Sequence, residues 1–190
     1  GPASVTGGLR FPDDGTGDCH RFTQALARSC SEHGVQFYYG TAIREWDLRG
    51  DRISGAWLRP QTVEAGANEG YRYQAADQVV LCAGCASRDL TPPLGLSLPI
   101  YPVKGYSLTA NLEDAGKAPR STVVDHGFKV AMTRLGDRVR VTGFVELARF
   151  NRRIPDSRLR VLREAFATRF PGAADLVTAE PWTGFRPMTP

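Results

Sequence analysis

The sequence lacks the features that mark membrane-spanning, secreted and disordered proteins. Its apolar runs are short, the longest covering residues 79–83, whereas a transmembrane helix needs roughly 20 apolar residues. The N-terminus has neither the basic start nor the apolar stretch of a signal peptide. Four cysteines in 190 residues are too few for a disulfide framework, which favours a reducing compartment. A hydrophobic content of 42% and a charged content of 23% indicate an ordinary globular chain and exclude a disordered one.

Motifs that identify many enzymes are also missing. The sequence contains no G-x-S-x-G nucleophile motif and no Walker loop. Gly15 and Gly17 begin a G-x-G pattern, but His20 stands where the third glycine of G-x-G-x-x-G would be. Histidine occurs at only 3 positions, and the pair Cys82 and Cys85 has no second pair of ligands beside it. We therefore predict no metal site and chemically inert cysteines.

Hydrophobic periodicity predicts two helices among many short strands. Apolar residues at helical spacing predict one helix over 19–33, with Asp18 as its N-cap and Gly34 ending it. A second helix, capped by Asp156, carries an apolar stripe that continues to residue 170. A polar stretch over 60–70 predicts a surface loop. Apolar or alternating segments bounded by turn residues predict strands over 35–39, 42–48, 53–58, 71–75, 79–83, 103–110, 121–125, 128–133 and 139–144.

The order of these elements predicts the fold class. The strand over 79–83 is apolar without alternation, which predicts burial on both faces as a central strand, with Cys82 inside it. Two adjacent prolines at 92–93 mark a boundary, after which the pattern is mostly antiparallel. We predict an α+β or α/β fold: part of a layered α/β domain, followed by a mostly antiparallel β-sheet domain with one helix.

Two groups of arginines are candidates for binding anions. Six arginines surround the second predicted helix, at positions 149, 152, 153, 158, 160 and 163. A solvated helix face is the favoured interpretation, and an anionic lipid surface is the alternative. Arg186 stands between an aromatic residue and a proline in an otherwise uncharged tail. Its planar guanidinium suits a carboxylate, but spacing alone does not separate this role from that of a surface arginine.

Several segments, taken in order along the chain, carry a family resemblance. They are residues 17–23 (GDCHRFT), the helix ending at Gly34, and residues 79–84 (VVLCAG), 101–107 (YPVKGYS) and 182–190 (WTGFRPMTP). The last two segments are the most specific. The chain resembles the D-amino acid oxidase superfamily of flavoproteins, and within it the bacterial D-amino acid dehydrogenase small subunits. The resemblance covers nearly the whole chain.

The resemblance implies an FAD-dependent dehydrogenase that oxidatively deaminates D-amino acids to 2-oxo acids and ammonia by hydride transfer to flavin N5. Members of the family carry a G-x-G-x-x-G turn before the matched region and a Gly-rich segment after it. We therefore expect an internal fragment of such an enzyme, inactive by itself. The resemblance implies a partial FAD-binding domain over 1–98 and a substrate-binding antiparallel sheet domain over 99–182. Residues 183–190 are expected to return towards the FAD-binding domain.

Roles for individual residues also follow from the resemblance. Arg186 matches the arginine that binds the substrate carboxylate, a contact that would hold the substrate Cα–H over the flavin. Lys104 and Tyr106 match a strand that passes near the flavin and the substrate. No side chain is evident as a general base.

Three further residues match positions of the family that contact FAD. They are Ile43, whose backbone would lie along the adenine, and Ala83 and Gly84, in a turn where small residues permit close approach of the cofactor.

Two other functions stay open. One is a glycine or sarcosine oxidase-like flavoenzyme with a different electron acceptor, and the other is a non-catalytic module that binds anionic lipid or nucleic acid through the arginines. For the favoured function we expect a D-amino acid substrate, a quinone as the electron acceptor and no nucleic-acid partner. We expect a cytoplasmic location. The alternative is peripheral association with the inner face of a bacterial membrane.

Overall fold

The computed structural model describes residues 5–61 and 70–190, so the loop predicted over 60–70 lies almost entirely outside the described residues. The chain divides into two compact units. The sheet unit comprises Gly1–Thr23 and Tyr101–Met188, and the hairpin unit comprises Gln24–Ile100 and Thr189–Pro190. The assignment of residues 1–98, 99–182 and 183–190 to functional domains stays a prediction.

The described residues form three α-helices and eight strands. The helices are α1 (Cys19–Glu32), α2 (Ser87–Leu90) and α3 (Asp156–Arg169). The strands are β1 (Thr41–Arg49), β2 (Arg52–Pro60), β3 (Arg72–Ala75), β4 (Tyr101–Asn111), β5 (Val123–Asp125), β6 (Val130–Leu135), β7 (Arg138–Glu146) and β8 (Glu180–Met188). Helices combined with antiparallel sheets confirm the predicted α+β class.

The sheet unit is built on a five-stranded sheet of order β5-β6-β7-β4-β8, in which every neighbouring pair is antiparallel. β6 and β7 form a hairpin, and Gly136 adopts a φ of +69° in its turn. Strands β4 to β7 lie within two residues of their predicted bounds. β4 is mostly buried because it lies between β7 and β8.

Helix α3 covers one face of this sheet and forms the core with it. Leu159, Leu162 and Phe166 lie on one side of the helix and belong to the same buried cluster as Leu108 and Val141 of the sheet. The apolar stripe predicted for the second helix is confirmed.

The start of α3 differs by one residue from the prediction. Pro155 occupies the N-cap position with extended backbone angles, and Asp156 is the first residue of the helix. A carboxylate in the first turn favours the helix through its dipole even though it does not cap.

The sequence pattern does not predict strand β8. Pro181 and Pro187 argue against a strand, because proline has no N–H to donate to a neighbouring strand. Among the described strands β8 pairs only with β4, so it lies at the edge of the sheet. An edge strand tolerates proline, since half of its backbone groups face away from the sheet.

The hairpin unit contains the antiparallel sheet β1-β2-β3. Gly50, with a φ of +64°, allows the tight turn between β1 and β2. Trp46 of β1 is buried, and its indole Nε1 donates to the Leu90 carbonyl at 2.7 Å. The predicted strands over 42–48, 53–58 and 71–75 are confirmed.

Two predicted strands of the hairpin unit are wrong. Residues 35–39 and 79–83 form no strand in the described structure. Val80 is 85% exposed and Cys82 is exposed, so the prediction that Cys82 lies in a buried strand is also wrong. An apolar run becomes a central strand only when strands flank it and helices cover it, and no described residues supply these partners.

Helix α1 confirms both predicted ends. The Asp18 carboxylate accepts the backbone N–H groups of His20 and Arg21, at 3.1 and 3.2 Å. Gly34 has a φ of +88° just beyond the helix. The predicted apolar face is not buried among the described residues, since Phe22 is 67% exposed.

Asp125 ties the β5–β6 turn to the end of α3. One carboxylate oxygen accepts the backbone N–H groups of Gly127 and Phe128, and the other accepts Arg169 Nε at 2.5 Å. These donors, Phe128 first and Arg169 next, hold the pKa of Asp125 below its ordinary value.

We expect Asp125→Asn to lower the free energy of unfolding by about 1.5–3 kcal/mol at pH 7, because charge-assisted hydrogen bonds are lost. A carboxylate with a lowered native pKa stabilises fully above the unfolded pKa of about 3.9, and this contribution is lost as the pH falls through the native pKa. The variant should therefore lose less stability between pH 6 and pH 3 than the parent does. Thermal unfolding at both pH values measures this, with the exposed Asp137→Asn as control. Equal acid sensitivity of parent and variant would contradict the assignment.

Candidate functional site

Strands β4 and β8 place the predicted catalytic residues on opposite faces of the sheet. Arg186 pairs with Val103 across the two strands, and Lys104 pairs with Phe185. Because side chains alternate along a strand, Arg186 lies on one face and Lys104 and Tyr106 lie on the other. Tyr106 belongs to the core beneath α3. The structure therefore brings Lys104 and Tyr106 together but separates their side chains from that of Arg186.

Arg186 is exposed and makes no ion pair with any carboxylate among the described residues. Its Nη1 donates to the Phe144 carbonyl at 3.1 Å. By contrast, Arg158 pairs with Glu146. A guanidinium carries five N–H donors, so most donors of Arg186 are available to a ligand. A carboxylate is the group that this planar fork binds best.

An aromatic side chain lies on the same face as Arg186. Trp182 is 62% exposed and occupies the same strand two positions before Gly184. A Cβ placed on Gly184 would lie 2.1 Å from the indole ring, so the ring lies over that glycine. The face thus presents an arginine next to an apolar surface, which suits a small molecule with a carboxylate and an apolar portion.

Strand β7 contains a bulge where it passes this site. The pairing shifts between Lys104 and Tyr106, so Phe144 and Val145 together lie opposite Gly105. Phe144 has a φ of +72°, a left-handed conformation that costs a residue other than glycine roughly 1–2 kcal/mol. The bulge presents the Phe144 carbonyl to Arg186. The sequence pattern predicts β7 but not this bulge.

A polar network holds the bulge from the buried side. Tyr106 is 2% exposed, and its hydroxyl donates to the Glu146 carboxylate at 2.9 Å. Arg158 Nε donates to the same oxygen at 3.2 Å. Burial, followed by the hydrogen bond to Glu146, raises the pKa of Tyr106. The phenol therefore stays protonated and donates to Glu146 at neutral pH.

Lys104 is 1% exposed and completes this buried side. Its ammonium donates to the Arg153 carbonyl and lies 5.0 Å from the centroid of the Tyr106 ring. The contacts of Lys104 and Tyr106 are thus with the protein itself, which supports a positioning role.

We expect Tyr106→Phe to cost about 1 kcal/mol of stability, because one hydrogen bond to Glu146 is lost while Arg158 still pairs with it. In the full-length protein, kcat/KM should change less than tenfold. A direct acid–base role would cost about 10²–10⁴-fold. Thermal unfolding and steady-state kinetics of the same preparation measure both effects, and a loss above 10²-fold would place Tyr106 in the chemistry.

The residues matched to FAD-binding positions lie in the hairpin unit. Gly84 has a φ of +56°, and a Cβ built on it would meet nothing within 4 Å. Ala83 beside it is exposed. Ile43 lies on β1, whose outer edge no other described strand covers. An open turn and an uncovered strand edge leave backbone groups accessible, which fits the close approach of a dinucleotide.

The described residues contain no group of three or more histidine, cysteine, aspartate or glutamate side chains that could hold a metal ion.

A family model and several known proteins are similar to this chain over nearly its whole length. A family model described as FAD dependent oxidoreductase matches residues 1–190. Two curated relatives, both named D-amino acid dehydrogenase, are 46% identical over 184 residues in Bradyrhizobium diazoefficiens and 45% identical over 186 residues in Cereibacter sphaeroides. They cover 97% and 98% of this chain, which spans only 41% and 40% of their own lengths.

A solved glycine oxidase from Geobacillus kaustophilus is similar with a TM-score of 0.62 and 27% identity, over 87% of this chain and 41% of that structure.

Proposed function

The chain belongs to the FAD-dependent oxidoreductase family, and on that premise we propose that it is part of a flavoenzyme that oxidises D-amino acids to 2-oxo acids and ammonia. The observation that carries this proposal is Arg186, an exposed guanidinium without a carboxylate partner among the described residues. The names of the relatives, which are 45–46% identical, support the choice of substrate.

Arg186 fixes the substrate by its carboxylate. Two parallel hydrogen bonds to the guanidinium restrain both the position and the rotation of the amino acid. When bound, FAD would supply the hydride acceptor, and the hydride would come from the substrate Cα–H. Orientation is the contribution of this chain, because the reacting atoms must come within about 3–3.5 Å. Trp182 would cover an apolar part of the substrate from the same face.

Ile43, Ala83 and Gly84 would hold the cofactor through backbone contacts. Gly84 supplies an open left-handed turn, and Ile43 an uncovered strand edge. Tyr106 would act through strand β7 and not on the substrate, since its hydroxyl donates to Glu146. Lys104 would hold the segment that follows β7, since its ammonium donates to the Arg153 carbonyl.

The full-length protein purified from its host tests this function. It should contain FAD and reduce a dye with D-amino acids, but not with the amines that carry the same side chains and lack the carboxylate. Equal rates of dye reduction with D-amino acids and with the matching amines would contradict the binding of the substrate carboxylate by Arg186. A preparation without flavin would refute the proposal as a whole.

We propose a quinone as the electron acceptor, which separates this enzyme from an oxidase. The similar glycine oxidase structure makes an oxidase the second candidate. Reoxidation of the reduced flavoprotein by a soluble quinone and by oxygen distinguishes them. Faster reoxidation by oxygen at equal concentration would favour the oxidase.

We also propose peripheral contact of the 145–153 segment with an anionic membrane. No described helix is long and apolar enough to cross a bilayer. The segment exposes Val145, Leu147 and Phe150, which are 77%, 74% and 51% exposed, beside Arg149, Arg152 and Arg153. Apolar side chains flanked by cations fit a lipid surface. Arg158 and Arg163 contribute less, because Glu146 and the Leu176 carbonyl already accept their hydrogen bonds.

Co-sedimentation of the full-length protein with vesicles tests this contact. Binding should require anionic lipid and weaken when the three arginines of the segment are replaced by glutamine. Unchanged binding of that variant would contradict the proposal.

A further inference from the structure

Gly105 lies directly beneath the guanidinium of Arg186. A Cβ built on Gly105 would lie 2.7 Å from both Nη1 and Nη2 of Arg186 and 2.9 Å from Cζ. Such distances are much shorter than van der Waals contact distances. The guanidinium therefore occupies the space that the Cβ of any other residue at position 105 would fill. The absence of a side chain here lets the guanidinium lie against the backbone of β4.

A second contact holds the same guanidinium from the side. The β7 bulge lies opposite Gly105, and its Phe144 carbonyl accepts Arg186 Nη1 at 3.1 Å. The bulge is itself supported, because the Phe144 ring packs edge-on against Tyr106 with centroids 5.7 Å apart. The Arg158 guanidinium lies 5.1 Å from the centroid of the Phe144 ring. A left-handed residue kept in place by several contacts is typical of backbone that serves a site.

We propose that Gly105 and the Phe144 carbonyl form a seat that sets the position of the Arg186 guanidinium, which makes Gly105 a positioning residue for substrate binding. This inference rests on the proposed function, since it assigns the seat to the arginine that binds the substrate carboxylate. Gly105 touches no substrate and acts only through Arg186.

The seat predicts an unusual outcome for a glycine-to-alanine substitution. The atoms that the new methyl group meets belong to the far end of a flexible, exposed side chain. The guanidinium can move aside by about 1 Å without disturbing the backbone, so the fold should tolerate the change. A displacement of that size in a group that orients a substrate can cost about 10²-fold in rate.

The experiment uses the full-length flavoprotein and the variants Gly105→Ala, Arg186→Ala and the double variant. The readouts are kcat/KM for a D-amino acid, the dissociation constant of propionate from the change in flavin absorbance, flavin content and Tm. Gly105→Ala should lower kcat/KM about 10²-fold and weaken propionate binding at least tenfold, with unchanged flavin content and a Tm within about 2 °C of the parent. Gly15→Ala, at an exposed position where a Cβ would meet nothing within 4 Å, controls for the substitution itself.

The double variant tests whether Gly105 acts through Arg186. Once Arg186 is alanine, adding Gly105→Ala should change kcat/KM by less than threefold, because there is no guanidinium left to displace. A further loss of tenfold or more in the double variant would overturn the inference. So would a Gly105→Ala protein that fails to fold or to hold flavin, because its methyl group would then meet something other than Arg186.

The propionate measurement separates failure of this inference from failure of the proposed function. If Arg186→Ala binds propionate as the parent does, the proposed function of Arg186 is wrong, and the seat has no role in substrate binding. If Arg186→Ala loses propionate and Gly105→Ala keeps it, the proposed function holds and only the seat is wrong.

Discussion

Replacement of Arg186 by lysine in the full-length protein is expected to lower kcat/KM for a D-amino acid by about 10²–10⁴-fold. Two charge-assisted hydrogen bonds to a carboxylate are worth roughly 1.5–3 kcal/mol each, and an ammonium cannot reproduce the planar pair. The Tm and the flavin content should stay close to those of the parent. Arg186 is exposed, and the hydrogen bond that it makes among the described residues is with the Phe144 carbonyl.

The kinetics of Arg186→Lys should be compared with those of Arg134→Lys. Arg134 lies on the same sheet, and its hydrogen bonds within the described part of the chain are to the backbone carbonyls of Gly136 and Ala115. Its replacement should leave kcat/KM within about twofold. A structural arginine at 186 would show the opposite pattern, with a lower Tm and unchanged kcat/KM per folded enzyme.

Replacement of Phe166 by alanine is expected to cost about 3–5 kcal/mol of stability, the usual range for removing a buried aromatic side chain. Phe166 is 1% exposed and belongs to the buried cluster that α3 forms with the sheet. Its ring centroid is 5.7 Å from that of Phe170, the residue that follows α3, so this contact is lost as well. Urea unfolding followed by circular dichroism measures the change.

Phe150→Ala is the matched control, because the same atoms are removed from a side chain that is 51% exposed. This variant should lose less than about 1 kcal/mol. Similar losses for the two variants would mean that α3 does not form the core of the sheet unit as described.

The secondary structure of the sheet unit could be predicted largely from its sequence, because its strands and its helix bury one another's apolar residues. Apolar and polar residues alternate in β6 and β7, and apolar residues form a stripe along α3. Both patterns arise because one face of the sheet is covered by a helix of the same unit. Residues 35–39 and 79–83 carry equally clear strand patterns, yet they form no strand in the described structure. Such a pattern indicates that a segment is suited to pairing between strands and to burial under helices. The strands and helices that would do this for residues 35–39 and 79–83 are not among the described residues.

The site could be predicted only in part. The resemblance of residues 182–190 indicated Arg186, and the structure shows it unpaired with any described carboxylate. Its neighbours Gly105 and Phe144 come from strands far away in the sequence, and the bulge depends on the register of β4 with β7. No local pattern encodes such a register. Alternation also explains why Lys104 and Tyr106, near Arg186 in the sheet, point to the other face.

The most direct test of the account is anaerobic mixing of the full-length flavoprotein with a D-amino acid in a stopped-flow spectrophotometer. The account predicts that the flavin is reduced at a rate that saturates with the concentration of the D-amino acid, and that Arg186→Lys requires much higher concentrations for the same rate. A flavin that stays oxidised with every D-amino acid, or that is reduced as fast in Arg186→Lys as in the parent at low substrate concentration, would contradict it.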